Sequence, residues 1–230
     1  MNDINVCFLV NNLYLDLTYK AIDHVINRFK SKTHRLRFML VGTEPLEQTR
    51  DDVEYFLTEH PELPILHQRV WLPHLLGVDK FIFMDSDTIT LTCLSRLWDV
   101  DLQGKTVGAS QHCACGWWDI LTINWSEMHF SPFKDYPDSK YFNCGVMVYD
   151  CDKWIHNNIA EKCMDAFKLY SHTRYRGYDE PGYNLVLKDD WFELDKKWNY
   201  LPIPKSPIRA CHILHYYGEY PSGTPRHNQF

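Results

Sequence analysis

The 230-residue sequence contains no CxxC pair, no net positive charge and no apolar run of the roughly 18 residues that a membrane-spanning helix needs. Among its eight cysteines, Cys113 and Cys115 form a CxC without a second pair, so no zinc site is indicated. Its 24 basic and 30 acidic residues give a net charge of −6, which argues against a nucleic-acid partner. With 45% hydrophobic residues and no repeats, the sequence also excludes disordered and fibrous classes.

A secretory signal peptide is also missing, since residues 4–10 have the pattern of a strand. We therefore expect reduced cysteines in a cytoplasmic compartment, or in the cytoplasm of a host cell if the chain is viral. Aromatic residues, by contrast, are abundant, with 8 Trp, 14 Tyr and 12 Phe. Composition leaves two interpretations open, a densely packed core or rings that line a site for a sugar or a base.

Strand-like and helix-like segments alternate through the first half of the chain. Continuous apolar runs are typical of strands buried on both faces, and apolar positions at helical spacing predict helices. The predicted strands are 4–10, 36–41, 64–66 and 80–84, and the predicted helices are 15–29, 46–60 and 69–76. This order predicts an α/β fold in which helices cover both faces of a mostly parallel sheet.

The second half of the chain is less regular. Its predicted elements are the strands 106–110, 143–149 and 211–217, the helices 152–171 and 179–188, and an extended proline-rich loop at 200–209. The first of these helices is expected to break near Asn157 and Asn158.

Asp85 and Asp87 follow the predicted strand 80–84 and form the first candidate site. Alternate residues of an extended segment point the same way, so both carboxylates face the edge where parallel strands bind ligands. Hard oxygen ligands at this spacing suit Mg²⁺ or Mn²⁺, either of which can hold a diphosphate. The alternative is a solvated turn, because DxD triplets arise by chance, as at Asp99–Asp101 and Asp150–Asp152.

Four further polar residues have both a functional and a structural interpretation. His215 could complete a Mn²⁺ shell, although a lone histidine near an apolar run is more often a hydrogen-bonded core residue. Asp179 and Glu180 could grip hydroxyls or act as base or nucleophile, or could offset the dipole of the following helix. Asn143 could bond a ligand or form a turn.

These motifs, in this order and spacing, resemble glycosyltransferase family 8, the retaining GT-A enzymes related to glycogenin and the lipooligosaccharide galactosyltransferases. The similarity extends from residue 4 to about residue 221. Its strongest stretch begins at Arg69, passes through a Pro-x-Leu-Leu helix and a strand to Asp85–Asp87, and continues to Leu97 and Trp98. The further matches are Phe142–Val146, Trp154, Asp179–Asn184, Trp198–Asn199 and His215–Gly218.

The resemblance implies a GT-A fold, a Rossmann-like mixed, mostly parallel sheet flanked by helices. Residues 1–230 would form a single catalytic domain, with a nucleotide-binding half at 1–100 and a half for the donor sugar and acceptor at 101–230. The implied activity is metal-dependent, retaining transfer of glucose or galactose from a UDP-sugar to an acceptor hydroxyl, expected to belong to a glycan.

The resemblance also implies residue roles. Asp85, Asp87 and His215 would bind Mn²⁺ (or Mg²⁺), which would bridge the diphosphate of the UDP-sugar. Asp179 and Glu180 are the implied catalytic residues. The implied donor-binding residues are Asn11, Asn12 and Tyr14 at the nucleoside, Arg69 near the diphosphate or the donor sugar, Gly218 at the diphosphate, Asn143 together with Asp179 at the sugar hydroxyls, and Ser86 between the two aspartates.

Three positions depart from the family pattern. Asn11 stands where the family usually has Asp, Glu180 where it often has Gln, and Pro221 where it has Lys. A carboxylate at position 180 could stabilise an oxocarbenium-like transition state or attack it. The sequence also lacks the basic, aromatic membrane-docking tail of bacterial members. A soluble acceptor, or origin as a domain of a longer protein, is therefore expected.

Two other functions fit parts of the pattern. One is a non-catalytic nucleotide-sugar or carbohydrate-binding domain of the same fold, against which the presence of both DxD carboxylates, His215 and Asp179 argues. The other is a sugar nucleotidyltransferase. Such enzymes usually carry a glycine-rich, basic loop after the first strand, and Asn11–Tyr14 is not such a loop.

Overall fold

The computed structural model of the protein describes residues 1–111, 140–169, 171, 178–202 and 210–216. The strands are β1 Asn2–Leu9, β2 His34–Gly42, β3 Val53–Leu57, β4 Lys80–Met84, β5 Thr88–Thr90, β6 Val107–Gln111, β7 Phe142–Asp150, β8 Trp191–Leu194 and β9 Ile213–His215. The α-helices are α1 Leu15–Arg28, α2 Ile65–Gln68, α3 Leu72–Leu75, α4 Ser95–Trp98, α5 Cys151–His156, α6 Ile159–Leu169 and α7 Glu180–Leu187. Short 3₁₀ helices span Asn12–Tyr14, Arg69–Trp71 and Lys196–Asn199.

The main sheet has seven strands in the order β3-β2-β1-β4-β7-β6-β8. The first four of these strands are parallel, β7 runs antiparallel between β4 and β6, and β8 is parallel to β6. This confirms the mixed, mostly parallel sheet. The carboxyl ends of β1, β2 and β4 meet at one edge, where sheets of this kind bind ligands.

A second, two-stranded sheet brings the end of the described chain back to this edge. β5 and β9 are antiparallel, and Thr88 lies opposite His215 in their register. The amide of Tyr216 donates to the carbonyl of Asp87 at 3.0 Å. The pairing therefore places His215 beside the turn that follows β4.

Apolar side chains cover both faces of the main sheet. Alternate residues of β1 point to opposite faces, so Phe8 packs with α1 residues such as Ile22, whereas Cys7 packs with Trp154 of α5. Both clusters are buried, which confirms that helices lie on both sides. Within the described residues, the rings of Phe8, Phe81, Phe83, Phe142 and Trp154 are fully buried, so much of the aromatic content belongs to the core.

Two local predictions are wrong. Residues 46–60 do not form a helix, because Val53–Leu57 pairs with β2 as a parallel edge strand. Pairing with a neighbouring strand outweighs the helix preference of the surrounding polar residues. Residues 64–66 are not a strand, since Pro64 precedes the first turn of α2.

The breaks between helices follow from single residues. Pro73 lies in the first turn of α3, and proline has no amide hydrogen to donate to the preceding turn. A continuous α-helix from α2 is therefore interrupted, and the 3₁₀ turn Arg69–Trp71 lies between α2 and α3. Asn158 adopts a positive φ of 51°, which ends α5 and confirms the predicted break near Asn157. Within the described ranges, no helix is both long enough and apolar enough to cross a membrane.

Candidate active site

The turn after β4 is held in place from three sides. The amide of Asp85 donates to the carbonyl of Gly145 at 2.8 Å, and the Thr88 hydroxyl donates to the carbonyl of Asp85 at 2.7 Å. The Ser86 hydroxyl lies 2.7 Å from that of Thr18, a fully buried residue of α1. The two carboxylates of the turn therefore extend from a fixed backbone.

Asp85, Asp87 and His215 converge, with one ligand atom from each lying within 4.8 Å of the others. Nε2 of His215 lies 3.2 Å from Oδ1 of Asp87 and 3.7 Å from Oδ2 of Asp85. Two carboxylates and one imidazole are a donor set that fits Mn²⁺, and Mg²⁺ if water completes the shell. The residues present thus fit the divalent cation expected from the sequence.

This cluster carries an excess of negative charge. Burial and the neighbouring charge of Asp87 raise the pKa of Asp85, although Arg69 and His215 oppose the shift. Burial disfavours protonation of His215, but the charges of Asp87 and Asp85 outweigh it and raise the pKa of the imidazole. A divalent cation between these groups would relieve the repulsion between the carboxylates.

Arg69 lies behind the cluster and joins it to the start of α7. Its Nη2 donates to Oδ1 of Asp85 at 2.9 Å, and its Nε lies 3.2 Å from Oδ2 of Asp179. Its Nη1 donates to the carbonyl of Cys144 at 2.8 Å, and the guanidinium stacks over Phe83, with Cζ 4.1 Å from the ring centre. Arg69 is 2% exposed, so within the described structure its positive charge interacts with these protein groups and not with solvent.

Glu180 and Asp179 lie side by side where α7 begins. Asp179 is buried and Glu180 is half-buried. Oε2 of Glu180 accepts a hydrogen bond from Nδ2 of Asn143 at 2.8 Å. Burial, followed by the negative charge of Asp179, raises the pKa of Glu180 to about 8. In the metal-free protein at neutral pH, Glu180 is therefore mostly protonated.

Asn143, on β7, makes hydrogen bonds to the protein with both ends of its amide. Its Oδ1 accepts from the amide of Gly145 at 2.9 Å and from Nδ2 of Asn199 at 2.6 Å. Asn199 in turn places Oδ1 2.9 Å from Nδ1 of His215. Sequence reasoning did not assign Asn199 to the site, although the Trp198–Asn199 motif contained the signal.

The residues expected at the nucleoside form the turn after β1. Oδ1 of Asn11 accepts from the amide of Tyr14 at 3.1 Å and caps the 3₁₀ helix. Asn12 donates to Glu44 at 3.2 Å and accepts from the amide of Glu47 at 2.8 Å. Their side-chain amides thus shape the turn, and their contact with a nucleoside stays a prediction. Gly218 lies outside the described residues.

Comparisons with known proteins show the family of this chain and agree with its fold. The family model "Glycosyl transferase family 8" matches residues 3–220. "Probable galacturonosyltransferase-like 10" of Arabidopsis thaliana is 29% identical over 159 residues, 66% of this chain and 44% of that protein. "General stress protein A" of Bacillus subtilis is 29% identical over 137 residues, 58% of this chain and 44% of that protein. The chain thus spans less than half the length of these two relatives.

Among solved structures, the galactosyltransferase LgtC in complex with donor and acceptor sugar analogs superimposes with a TM-score of 0.71. The match covers 94% of this chain and 87% of LgtC at 16% sequence identity. At this identity the likeness establishes the shared fold.

Proposed function

Because the chain belongs to glycosyl transferase family 8, whose model it matches over residues 3–220, we propose that it is a metal-dependent, retaining glycosyltransferase. It would move a hexose, glucose or galactose, from a UDP-sugar to a hydroxyl of a glycan. The observation that carries the proposal is that the candidate metal cluster and the acidic pair Asp179–Glu180 lie together at one edge of the sheet, bridged by a single arginine. Arg69 links the candidate metal ligand Asp85 to Asp179, the neighbour of Glu180.

Asp85, Asp87 and His215 would hold the cation. A bound Mn²⁺ or Mg²⁺ supplies Lewis-acid stabilisation of the diphosphate leaving group. The three side chains come from the turn after β4 and from β9, and both are tied to the sheet by backbone hydrogen bonds. The site is therefore pre-organised for a cation, which lowers the cost of binding it.

In the proposed reaction, the bond between the anomeric carbon and the diphosphate oxygen breaks, and its electron pair leaves with UDP. The acceptor oxygen forms the new bond to that carbon, and the acceptor's proton passes to the departing phosphate oxygen. Glu180 would stabilise the oxocarbenium-like transition state, or attack it to form a transient covalent bond. Both roles of Glu180 need the ionised carboxylate, which a pKa of about 8 makes scarce in the metal-free protein at neutral pH. A cation bound nearby would favour the ionised form.

The charge around Arg69 favours a neutral hexose over a hexuronic acid. The Arabidopsis relative is named for galacturonosyl transfer, and a galacturonosyl donor carries a carboxylate on the sugar. Arg69, however, is already paired with Asp85 and Asp179, and Glu180 adds a further acidic group. A sugar carboxylate placed here would meet like charge without a free guanidinium from Arg69.

A calorimetric titration with UDP, with and without Mn²⁺, tests the proposal. We expect Mn²⁺-dependent binding of UDP that the substitution Asp87→Asn abolishes. Absence of Mn²⁺-dependent UDP binding by the wild-type protein would count against the proposed function. Asp23 is an exposed residue half-way along α1 and lies outside the candidate site. The substitution Asp23→Asn is therefore a control that should leave UDP binding unchanged.

A panel of UDP-glucose, UDP-galactose and UDP-galacturonate, read by mass for hydrolysis or transfer, then identifies the donor. We expect turnover of a neutral hexose. Binding without turnover of any donor would support a non-catalytic domain. Release of pyrophosphate from a nucleoside triphosphate and a sugar phosphate would support a nucleotidyltransferase instead.

The role of Glu180 has its own test. We expect the substitution Glu180→Gln to lower the turnover number at least about tenfold while Mn²⁺-dependent UDP binding is kept. We also expect kcat/KM of the wild type to rise with pH as the Glu180 carboxyl ionises, and this rise to vanish in the variant. A near-normal rate in the variant would remove Glu180 from the mechanism.

A glycan hydroxyl is the proposed acceptor, and the cytoplasm is the proposed location. Incubation with oligosaccharide arrays and radiolabelled donor tests the first, and cell fractionation tests the second.

A further inference from the structure

A chain of hydrogen bonds joins Glu180 to the candidate metal ligand His215 through two asparagine amides. Nδ2 of Asn143 lies 2.8 Å from Glu180, Oδ1 of Asn143 lies 2.6 Å from Nδ2 of Asn199, and Oδ1 of Asn199 lies 2.9 Å from Nδ1 of His215. Asn143 is 3% exposed and Asn199 is 4% exposed, so water does not compete for these bonds.

The direction of every bond in this chain is fixed by one peptide group. The amide N–H of Gly145 can only donate, and it donates to Asn143 at 2.9 Å, so the atom of Asn143 that faces it is the oxygen. The atom of Asn199 that meets the same oxygen must then be its amide nitrogen. Oδ1 of Asn199 is thereby turned toward His215 and can only accept.

His215 must therefore carry a proton on Nδ1. In the neutral imidazole this leaves a lone pair on Nε2, the nitrogen that faces Asp85 and Asp87. A metal-binding histidine needs its second nitrogen to donate in this way, because that bond fixes the tautomer and the orientation of the ring.

The backbone keeps Asn199 in register with His215. The amide of Tyr200 donates to the carbonyl of Ile213 at 3.0 Å, and the amide of His215 donates to the carbonyl of Tyr200 at 2.9 Å. Asn199 ends the 3₁₀ helix Lys196–Asn199, which Asp195 caps through the amide of Lys197. The amide thus lies on a short segment bonded to the same strand that carries the histidine.

We propose that Asn199 is a positioning residue for the metal site. It holds His215 as the Nδ1–H tautomer, so that Nε2 faces the cation, and Asn143 links this arrangement to Glu180. The inference rests on the proposed function, since it assumes that His215 binds the cation. It adds that a buried amide outside the ligand set governs the affinity for the metal.

The first experiment compares three variants by calorimetric titration with Mn²⁺ in the presence of UDP. Asn199→Leu removes the acceptor, and we expect Mn²⁺ binding to weaken about 10- to 100-fold. Asn199→Asp keeps an oxygen opposite Nδ1, although it replaces the nitrogen that donates to Oδ1 of Asn143 with a second oxygen. We therefore expect it to weaken Mn²⁺ binding clearly less than Asn199→Leu does. Asn5→Leu removes another buried amide, 8% exposed, which donates to the carbonyl of Lys80, and serves as the control with unchanged affinity.

A folded Asn199→Leu variant that binds Mn²⁺ like the wild type would overturn the inference. An Asn199→Asp variant as weak as Asn199→Leu would also overturn it, because a merely structural role does not depend on the acceptor. If the wild-type protein binds no Mn²⁺ at all, the proposed function fails together with the inference. If the wild-type protein binds Mn²⁺ and the Asn199 variants behave otherwise than expected, only the inference fails.

The second experiment needs no substitution at Asn199. Nitrogen NMR of histidine-labelled wild-type protein distinguishes the two tautomers, and the substitution His215→Gln assigns the signal. Above the pH range in which His215 is protonated, we expect a proton on Nδ1 in the metal-free protein. A proton on Nε2 would overturn the inference even if the asparagine variants fail to fold.

Discussion

The imidazole of His215 lies directly against the backbone of Gly145. A β-carbon at position 145 would lie 2.2 Å from Cε1 of His215 and 2.9 Å from Oδ2 of Asp85. Both distances are shorter than contacts that side chains make, so any side chain at this position displaces the ring or the carboxylate. Glycine is required here for space, because it is the residue without a β-carbon.

The substitution Gly145→Ala is therefore expected to separate His215 from Asp85. We predict that affinity for Mn²⁺ in the presence of UDP falls about tenfold or more while the protein remains folded. Titration calorimetry and circular dichroism measure the two effects. Gly104→Ala is the control, because a β-carbon there would meet nothing within 4 Å, although the φ of +82° makes the substitution strained. Unchanged Mn²⁺ affinity of the Gly145→Ala variant would contradict the prediction.

Replacing Arg69 should destabilise the protein strongly. Arg69→Met leaves the acidic groups of Asp85 and Asp179 beside an apolar side chain, and breaking a buried pair in this way costs about 3–5 kcal/mol. Arg50→Met is the matched control. The Arg50 side chain is 26% exposed and pairs with Asp23 and Asp52, so its loss should cost about 1 kcal/mol or less. Urea unfolding at pH 7 compares them, and equal losses would contradict the expectation.

The stability of the metal-free protein should depend on pH through Glu180. Its folded pKa of about 8 lies above the ordinary value of 4.5, because burial and the charge of Asp179 disfavour ionisation. Between these values the unfolded chain is ionised and the folded chain is protonated, so stability falls as pH rises from 4.5 to 8.

Glu180→Gln should remove this part of the pH dependence. Comparing urea unfolding at pH 5 and pH 8 with a chelator present, we expect the wild type to lose about 1–3 kcal/mol more than the variant, with solvent screening of the half-buried group included. Parallel stability curves for the two proteins would show that Glu180 does not titrate as described.

Trp154 supports the helical segment that carries Arg69. Its indole nitrogen donates to the carbonyl of Val70 at 2.9 Å, and the side chain is fully buried. Trp154→Phe leaves that carbonyl unpaired and opens a gap, so we expect a loss of about 2–4 kcal/mol in thermal or urea unfolding. Trp98→Phe, at a half-buried ring, should cost less, and the reverse order would contradict this account.

Several parts of the fold follow from short stretches of sequence. The apolar runs at 4–10, 36–41 and 80–84 correspond to β1, β2 and β4, because residues buried on both faces leave a continuous apolar signal. The break between α5 and α6 is likewise local, since asparagine tolerates the positive φ found at Asn158. Edge strand β3 was not predictable in this way, because its pairing with β2 decides its conformation.

The sequence by itself determined the alternating architecture and the position of Asp85 and Asp87 at a strand end, since both depend on residues close together in the chain. Only the tertiary structure decided that Arg69 is enclosed by protein groups and that Asn199 faces His215. Arg69 bonds to Cys144, 75 residues away, and Asn143 bonds to Asn199, 56 residues away. Contacts over such separations are set by sheet order and register, which no local pattern of residues contains.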